Sequence, residues 1–165
     1  MKKLIILSLL VLVGVYGVGR FNLGEAGAMR FVTKMESLMS EGKGEEVCAM
    51  FHDDLEVEIE DHSGESTESV SGGKKEFCAR TTQTVAGLQL VPHTMNVEFT
   101  DITSTQKMSK PWTGHLSYSE HRTFSIPAAG VSLQTVSEDE ITLVQTFVGV
   151  KLRKIKAAVY KTETT

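Results

Sequence analysis

Three patterns of apolar and polar positions occur along this chain, and each predicts a different kind of element. Residues 4–19 form an almost unbroken apolar run. Residues 28–39 place apolar side chains at the i, i+3, i+4 spacing that is typical of an amphipathic helix. Residues 55–60 read Leu-Glu-Val-Glu-Ile-Glu, the period of a half-buried strand whose carboxylates face water. The pattern therefore predicts an apolar leader, a helix and then a strand.

The remaining segments extend this order to an α+β domain. Residues 45–51 predict a short second helix, which the polar residues 52–54 end as a turn. Residues 61–71 are rich in Ser, Glu and Gly and predict an exposed loop, and residues 74–88 predict a third helix. Strands are predicted at residues 94–103, 112–126, 132–136 with a continuation through 141–147, and 150–160. Helices segregated before antiparallel strands indicate the α+β class.

The leader carries the clearest information about location. Lys2 and Lys3 precede the apolar run and Arg20 follows it, which is the layout of a secretion signal. As a helix the 16-residue run would span about 24 Å, which is long for a cleaved signal and short for a membrane span. An uncleaved anchor is favoured, and a small-x-small site at residues 26–28 leaves cleavage open. We expect a single-pass inner-membrane protein with its C-terminal domain in the periplasm, or periplasmic secretion after cleavage.

The length and charge of the rest of the chain limit its domain organisation and its partners. The expected units are residues 1–20 as signal anchor or signal peptide, 21–27 as a linker or the start of helix one, 28–161 as one domain, and 162–165 as a frayed tail. The net charge of −4 becomes −7 once Lys2, Lys3 and Arg20 are set apart with the leader. An acidic domain disfavours nucleic acid and anionic lipid as partners, because either would call for a basic face.

Two cysteines, Cys48 and Cys78, lie in predicted helices. An exported location permits a disulfide between them, and the alternative is two buried small side chains that never meet.

The polar residues of the predicted strand 112–126 divide between its two faces. His115 and His121 share one face, but six residues of strand separate them by roughly 20 Å, too far for a common metal ion. Tyr118, Glu120 and Arg122 share the other face. They form either a polar floor for an apolar pocket or an ion pair with a neighbouring strand. We expect neither a metal nor a cofactor.

Two further candidates lie outside that face. His52, followed by Asp53 and Asp54, offers a histidine–carboxylate pair for acid–base chemistry or simply a helix stop. Trp112, the one tryptophan, is either a plug in the core or a platform for a ligand in the pocket with Tyr118 and Arg122.

The middle of the chain combines a long first helix, the turn SEGKG at residues 40–44, a short helix, the segment HDDLEVE at residues 52–58, and a Gly73-Lys74 step into the third helix. In these features it resembles the nuclear transport factor 2-like (SnoaL-like) superfamily. The resemblance extends over residues 26–161 and implies a cone, in which a curved mixed sheet wraps around helices and a pocket opens at the wide end. That family includes isomerases, dehydratases, cyclases and hydrolases, as well as members without known chemistry.

Two functions follow as hypotheses. The first is an exported, non-enzymatic domain that binds a small apolar molecule or an envelope protein, with homodimerisation through the open sheet face. The alternative is an acid–base enzyme of the isomerase or lyase type, with His52, Tyr118 and Glu120 as candidate catalytic residues.

Overall fold

The computed structural model describes residues 17–18, 21–64, 66–107 and 109–162. Its main helices are α1 (Glu25–Ser40), α2 (Gly44–Ala49) and α3 (Lys74–Gln89). Residues 21–23 are also helical, and Gly24 separates them from α1. The strands are β1 (Phe51–His62), β2 (Glu68–Gly72), β3 (Thr94–Gln106), β4 (Thr113–Ile126), β5 (Val131–Thr146) and β6 (Gly149–Lys161).

The strands form one mixed sheet in the order β2-β1-β6-β5-β4-β3. Every neighbouring pair is antiparallel except β1 and β6, which run parallel. Register shifts interrupt the ladders at Phe51/Glu56, Thr100/Thr103 and Thr142/Leu143. Because such bulges bend a strand and increase its twist, the sheet curves around the helices and gains an inner face. The α+β architecture with a curved mixed sheet is therefore confirmed.

Helix α1 supplies the apolar layer that fills the inner face. Its buried stripe includes Ala28, Phe31, Val32, Met35 and Leu38, as the helical period predicts. It ends in a Schellman arrangement, in which the N–H of Lys43 donates to the Leu38 carbonyl. Gly42 has a φ of +82° at this point, a conformation that favours glycine. The core continues from this stripe onto the sheet through Phe51, Leu55, Val57, Leu116, Ile141, Leu143 and Leu152.

The two cysteines form a disulfide that joins α2 to α3. The Cα atoms of Cys48 and Cys78 lie 5.4 Å apart, within the range that a bridge requires. The bridge lies beside Phe77, whose ring centroid is 5.3 Å from that of Phe51. It thereby holds α2 and α3 together beside the start of β1.

Two local predictions were wrong. Residues 52–54 belong to β1 rather than to a turn. They connect Phe51, which pairs with Leu152 of the parallel strand β6, to Glu56, where pairing with β6 resumes after a register shift. Part of the predicted loop 61–71 is strand β2, which pairs with β1 from Val57↔Gly72 to Asp61↔Glu68. This edge strand has no buried side chain, so its sequence lacks the apolar alternation that signals a strand.

The predicted leader at residues 1–20 and tail at 162–165 lie almost entirely outside the described residues. Among the described helices, none combines the length and apolar character needed to cross a membrane.

Candidate functional site

A cavity of about 210 Å³ lies between the helices and the inner face of the sheet. Most of its wall is apolar and comes from helices and from strands β1 and β6. The polar part of the wall comes from α1, β4 and β5. The apolar wall consists mainly of Met35, Met39, Phe51, Ile59, Phe77, Leu152, Ile155, Ala157 and Val159.

Strand β4 brings three of the predicted residues together on this wall. Because side chains alternate across a strand, Tyr118, Glu120 and Arg122 all face the cavity, whereas His115 and His121 are exposed on the outer face. Tyr118 and Glu120 are buried. The side chain of Arg122 is about one-third exposed. These three side chains therefore line the same cavity.

Arg122 is the centre of a polar network inside the cavity. Its Nη2 atom donates to Oε1 of Glu36 at 3.0 Å, and it also pairs with Oε1 of Glu120 on its own strand. The partner from α1 lies 86 positions away in sequence. The network thus joins helix to sheet, unlike the strand-to-strand ion pair that was the other expectation.

Asp139 completes the group of acids. It lies opposite Tyr118 in the β4–β5 ladder and lines the same cavity. The hydroxyl of Ser137 donates to Asp139 Oδ2 at 2.8 Å. Three buried carboxyl groups, on Glu36, Glu120 and Asp139, therefore line a cavity whose wall contains one guanidinium.

Burial and this shortage of positive charge raise the pKa values of two acids. Burial raises the pKa of Glu36 to about 7, with Arg122 opposing and Glu120 and Asp139 adding to the shift. Burial likewise raises the pKa of Asp139 to about 6, opposed by the hydrogen bond from Ser137 and assisted by Glu120. Near neutral pH, one cavity therefore holds an acid that is partly protonated and a second that is mostly ionised.

Tyr118 contributes a neutral hydrogen-bonding group. Burial, followed by the nearby carboxylates of Asp139, Glu120 and Glu36, raises the pKa of its phenol. Its ring meets Phe99 edge-on, with centroids 5.5 Å apart, which fixes the ring in place. The phenol stays protonated at physiological pH and can donate a hydrogen bond.

Two atoms of the network are buried without a hydrogen-bond partner among the described residues. They are Oε2 of Glu36, an acceptor, and Nε of Arg122, a donor. Both residues line the cavity. Since buried polar atoms are nearly always paired in folded proteins, these two atoms single out this part of the cavity wall as the candidate binding site.

Glu36 and Asp139 are the functional candidates that the sequence interpretation missed. Each carried a signal in the sequence. Glu36 stands four positions after Val32 on the helical stripe, and Asp139 stands two positions before Ile141 on the inner face of β5. An acid on an otherwise apolar face is unusual, and it indicates a site when it recurs on neighbouring elements.

Two other predicted residues lie elsewhere. His52 is near the start of β1, where its Nδ1 accepts from the N–H of Asp54 at 3.1 Å, and it does not line the cavity. Trp112 lies in the turn before β4, also outside the cavity wall, and 47% of it is exposed. Within the described ranges, no three His, Cys, Asp or Glu side chains cluster closely enough to hold a metal ion.

The outer face of the sheet is a different surface. An open depression of about 650 Å³ crosses it, bordered by Glu58, Glu60, Glu138, Glu140 and Lys156. Lys154 pairs with Glu56 at 3.4 Å and with Glu58 at 3.3 Å. The carboxylates of β1 therefore face solvent as the alternation predicts, and this face lacks the enclosure that a small-molecule site requires.

Sequence comparison finds no protein-family model and no curated protein that matches this chain. Solved structures do match. A candidate scytalone dehydratase from Novosphingobium aromaticivorans superposes with a TM-score of 0.60 at 13% identity, covering 84% of this chain and 83% of that one. A candidate dehydratase of the nuclear transport factor 2-like family from Streptomyces avermitilis gives 0.59 at 14% identity, covering 87% and 98%.

A third match is a subunit of a larger enzyme. The beta subunit of the benzoate 1,2-dioxygenase from Burkholderia mallei gives a TM-score of 0.64 at 6% identity, covering 83% of this chain and 89% of that one. At such identities the similarity concerns the fold. The chain has the nuclear transport factor 2-like cone, as the resemblance in its sequence predicted.

Proposed function

We propose that this cone-fold protein binds a small, mainly apolar molecule in the cavity beside Glu36 and Arg122, in a domain that is exported from the cytoplasm. The observation that carries the proposal is the pair of buried, unpartnered atoms, Glu36 Oε2 and Arg122 Nε, in an otherwise largely apolar cavity. Ligand sites are typically apolar cavities with a few convergent polar groups that fix orientation.

The size and polarity of the cavity indicate the size of the ligand and the polar group it carries. A cavity of about 150 Å³ accommodates benzene, so the 210 Å³ here suits a substituted single ring. A hydroxyl group on that ring has the complementary chemistry, because it can donate to a carboxylate and accept from a guanidinium N–H. The ligand class that fits is therefore a small cyclic alcohol or phenol.

Two features support export and anchoring. The sequence begins with a basic pair and an apolar run of 16 residues. The Cys48–Cys78 disulfide joins two helices, and such bridges persist mainly in oxidising compartments. Both features support our proposal that the domain lies in the periplasm and is held at the inner membrane by residues 1–20.

A second candidate function is acid–base catalysis of the isomerase or lyase type. The observation that favours it is the proximity of Glu36 and Asp139, whose pKa values are raised to about 7 and about 6 within one cavity. Between these values Glu36 can donate a proton while Asp139 accepts one. The protonated phenol of Tyr118 is available to hydrogen-bond a developing oxyanion.

The binding proposal is tested with para-fluorophenol and fluorobenzene, which differ by one hydroxyl group. Fluorine NMR titration of the full chain in detergent should show tighter binding of the phenol, by about tenfold or more, since a hydrogen bond to a charged group contributes about 1.5–3 kcal/mol. Equal affinity for the two probes would show that the Glu36–Arg122 pair does not select the ligand.

Two neighbouring alanines provide a matched pair of variants. Ala157 is buried in the cavity wall, and Ala158 follows it on the outer face of β6. Ala157→Leu should abolish binding of both probes by filling the cavity, while Ala158→Leu should leave it unchanged. The probes partition into detergent equally in the presence of either variant, so the difference between the two variants reports binding in the cavity. Unchanged binding in Ala157→Leu would place the ligand elsewhere.

A further inference from the structure

We infer that one end of the domain, formed by Phe21, Trp112, Phe147 and Val148, rests on the surface of a lipid bilayer. We call these four residues the bilayer-facing end. The inference goes beyond ligand binding, and it rests on the proposed anchoring by the leader.

Hydrogen bonds bring these sequence-distant residues to one end of the molecule. The side-chain amide of Asn22, next to Phe21, donates to Gln145 Oε1 at 3.0 Å. The backbone N–H of Gln145 in turn donates to the carbonyl of Trp112 at 2.8 Å. Phe147 and Val148 then form the turn between β5 and β6, two and three positions beyond Gln145.

All four side chains are apolar and project into solvent. Phe147 is fully exposed, Val148 is 82% exposed and Phe21 is 71% exposed. Trp112 is about half exposed. Single exposed apolar side chains are ordinary, but a group of three aromatics and a valine at one end marks an interaction surface. Tryptophan and phenylalanine are also the side chains that enter the interfacial region of membranes.

Basic residues border this end. A groove beside Val148 is lined by Arg30, Lys34 and Lys151 and by a single acid, Glu46. The chain as a whole carries a net charge of −4, so this local excess of positive charge stands out. Lysine and arginine near a membrane surface are attracted to anionic headgroups. Two copies of the same basic rim would repel each other, so the charge favours a bilayer over a second copy of this chain.

The path of the chain points to the same occupant. The apolar run of residues 4–19 ends two positions before Phe21. The segment that follows is fixed against the sheet. Leu23 is buried, and its carbonyl oxygen would lie only 2.8 Å from a Cβ atom on Gly114, so the two backbones pack closely. The anchor therefore enters the domain at the bilayer-facing end, which keeps that end close to the membrane.

This orientation places the ligand cavity away from the lipid. Asp139 stands six positions before Gln145 on β5, which corresponds to about 20 Å of strand. Ligand would then exchange with the aqueous compartment rather than with the bilayer.

Trp112 is the only tryptophan, so its fluorescence reports on this end alone. The full chain is reconstituted in vesicles of phosphatidylcholine and phosphatidylglycerol whose acyl chains are brominated near the headgroup. We expect bromine to quench Trp112 and its emission to shift to the blue relative to the protein in detergent.

The double variant Phe147→Ser/Val148→Ser should reduce this quenching at least twofold. Leu90→Ser is the matched control, because Leu90 is 83% exposed but follows Gln89, which contacts Ser40 at the end of α1 opposite to Phe21. In this variant, bromine should quench Trp112 as strongly as it does in the natural protein.

The outcomes separate the inference from the anchoring on which it rests. If alkaline carbonate releases the protein from the vesicles, the anchoring is wrong and the inference falls with it. If the protein stays anchored but Trp112 is not quenched, the anchoring stands and the inference alone is overturned. Loss of quenching together with a dimer in sedimentation would assign this end to a second copy.

Discussion

At the scale of single residues, Glu36 has the largest consequence for this protein. It occupies a position on the buried stripe of α1 where an apolar side chain would pack without cost. Its carboxyl group instead contacts Arg122 and keeps one oxygen unpartnered among the described residues. A buried acid that is only partly compensated makes stability depend on pH.

We predict that the free energy of unfolding falls as pH rises from 5 to 8. Glu36 has a pKa of about 7 in the folded state against 4.5 for the free group. The folded protein therefore binds more protons than the unfolded chain between these values, so stability is lost as pH rises through the folded pKa. The loss attributable to Glu36 is roughly 3 kcal/mol.

Urea unfolding at the two pH values measures this loss. Glu36→Gln should remove most of this loss of stability. Asp139→Asn should remove a smaller part, because the pKa of Asp139 is raised in the same direction, to about 6. A natural protein that is equally stable at both pH values would contradict the raised pKa of Glu36.

At the scale of elements, strand β4 shows what the alternation of side chains can predict and what it cannot. Its two-residue period correctly separates Tyr118, Glu120 and Arg122 from His115 and His121. The partners of those inward side chains come from α1 and β5, and no period within β4 specifies them. The face of each residue was predictable, whereas the composition of the site was not.

Pairing at the edge of the sheet explains why β2 is a strand and not the predicted loop. Strand β2 has a polar, exposed sequence and exists because β1 presents an unpaired row of backbone groups to it. Residues 52–54 are extended rather than a turn because β6 pairs with Phe51 before them and with Glu56 after them.

The disulfide between α2 and α3 should account for much of the stability of these two helices. Its cysteines are 30 positions apart, for which loop closure predicts a contribution of about 3–4 kcal/mol. Reduction of the natural protein should lower its urea midpoint, and Cys48→Ala/Cys78→Ala should lower it similarly while becoming insensitive to reductant. A natural protein whose midpoint is unaffected by reduction would show that the bridge contributes nothing.

At the scale of the whole molecule, charge divides the surface into distinct regions. The outer sheet face carries Glu58, Glu60, Glu138 and Glu140, the bilayer-facing end has a basic rim, and the cavity lies between helices and inner face. Homodimerisation through the sheet face remains a prediction of the sequence. Two such faces would oppose their carboxylates and repel.

We therefore expect any dimer formed through this face to depend on salt. Sedimentation velocity of the detergent-solubilised protein should show monomer at low ionic strength and a growing dimer fraction as salt screens the glutamates. Glu138→Lys/Glu140→Lys should shift the balance towards dimer at low salt. A dimer that is unaffected by salt and by this variant would have to use another surface.

The sequence by itself determined the class of the fold, most helices and strands, the face on which each side chain lies, and the cone-shaped family it resembles. These properties depend on residues a few positions apart, and such spacing is visible in the chain. The tertiary structure decided which acids meet Arg122, where β2 pairs, and that Trp112 lies with Phe21 and Phe147 at one end rather than in the pocket. Those outcomes depend on contacts between residues far apart in sequence, and only the folded arrangement of helices around the curved sheet specifies them.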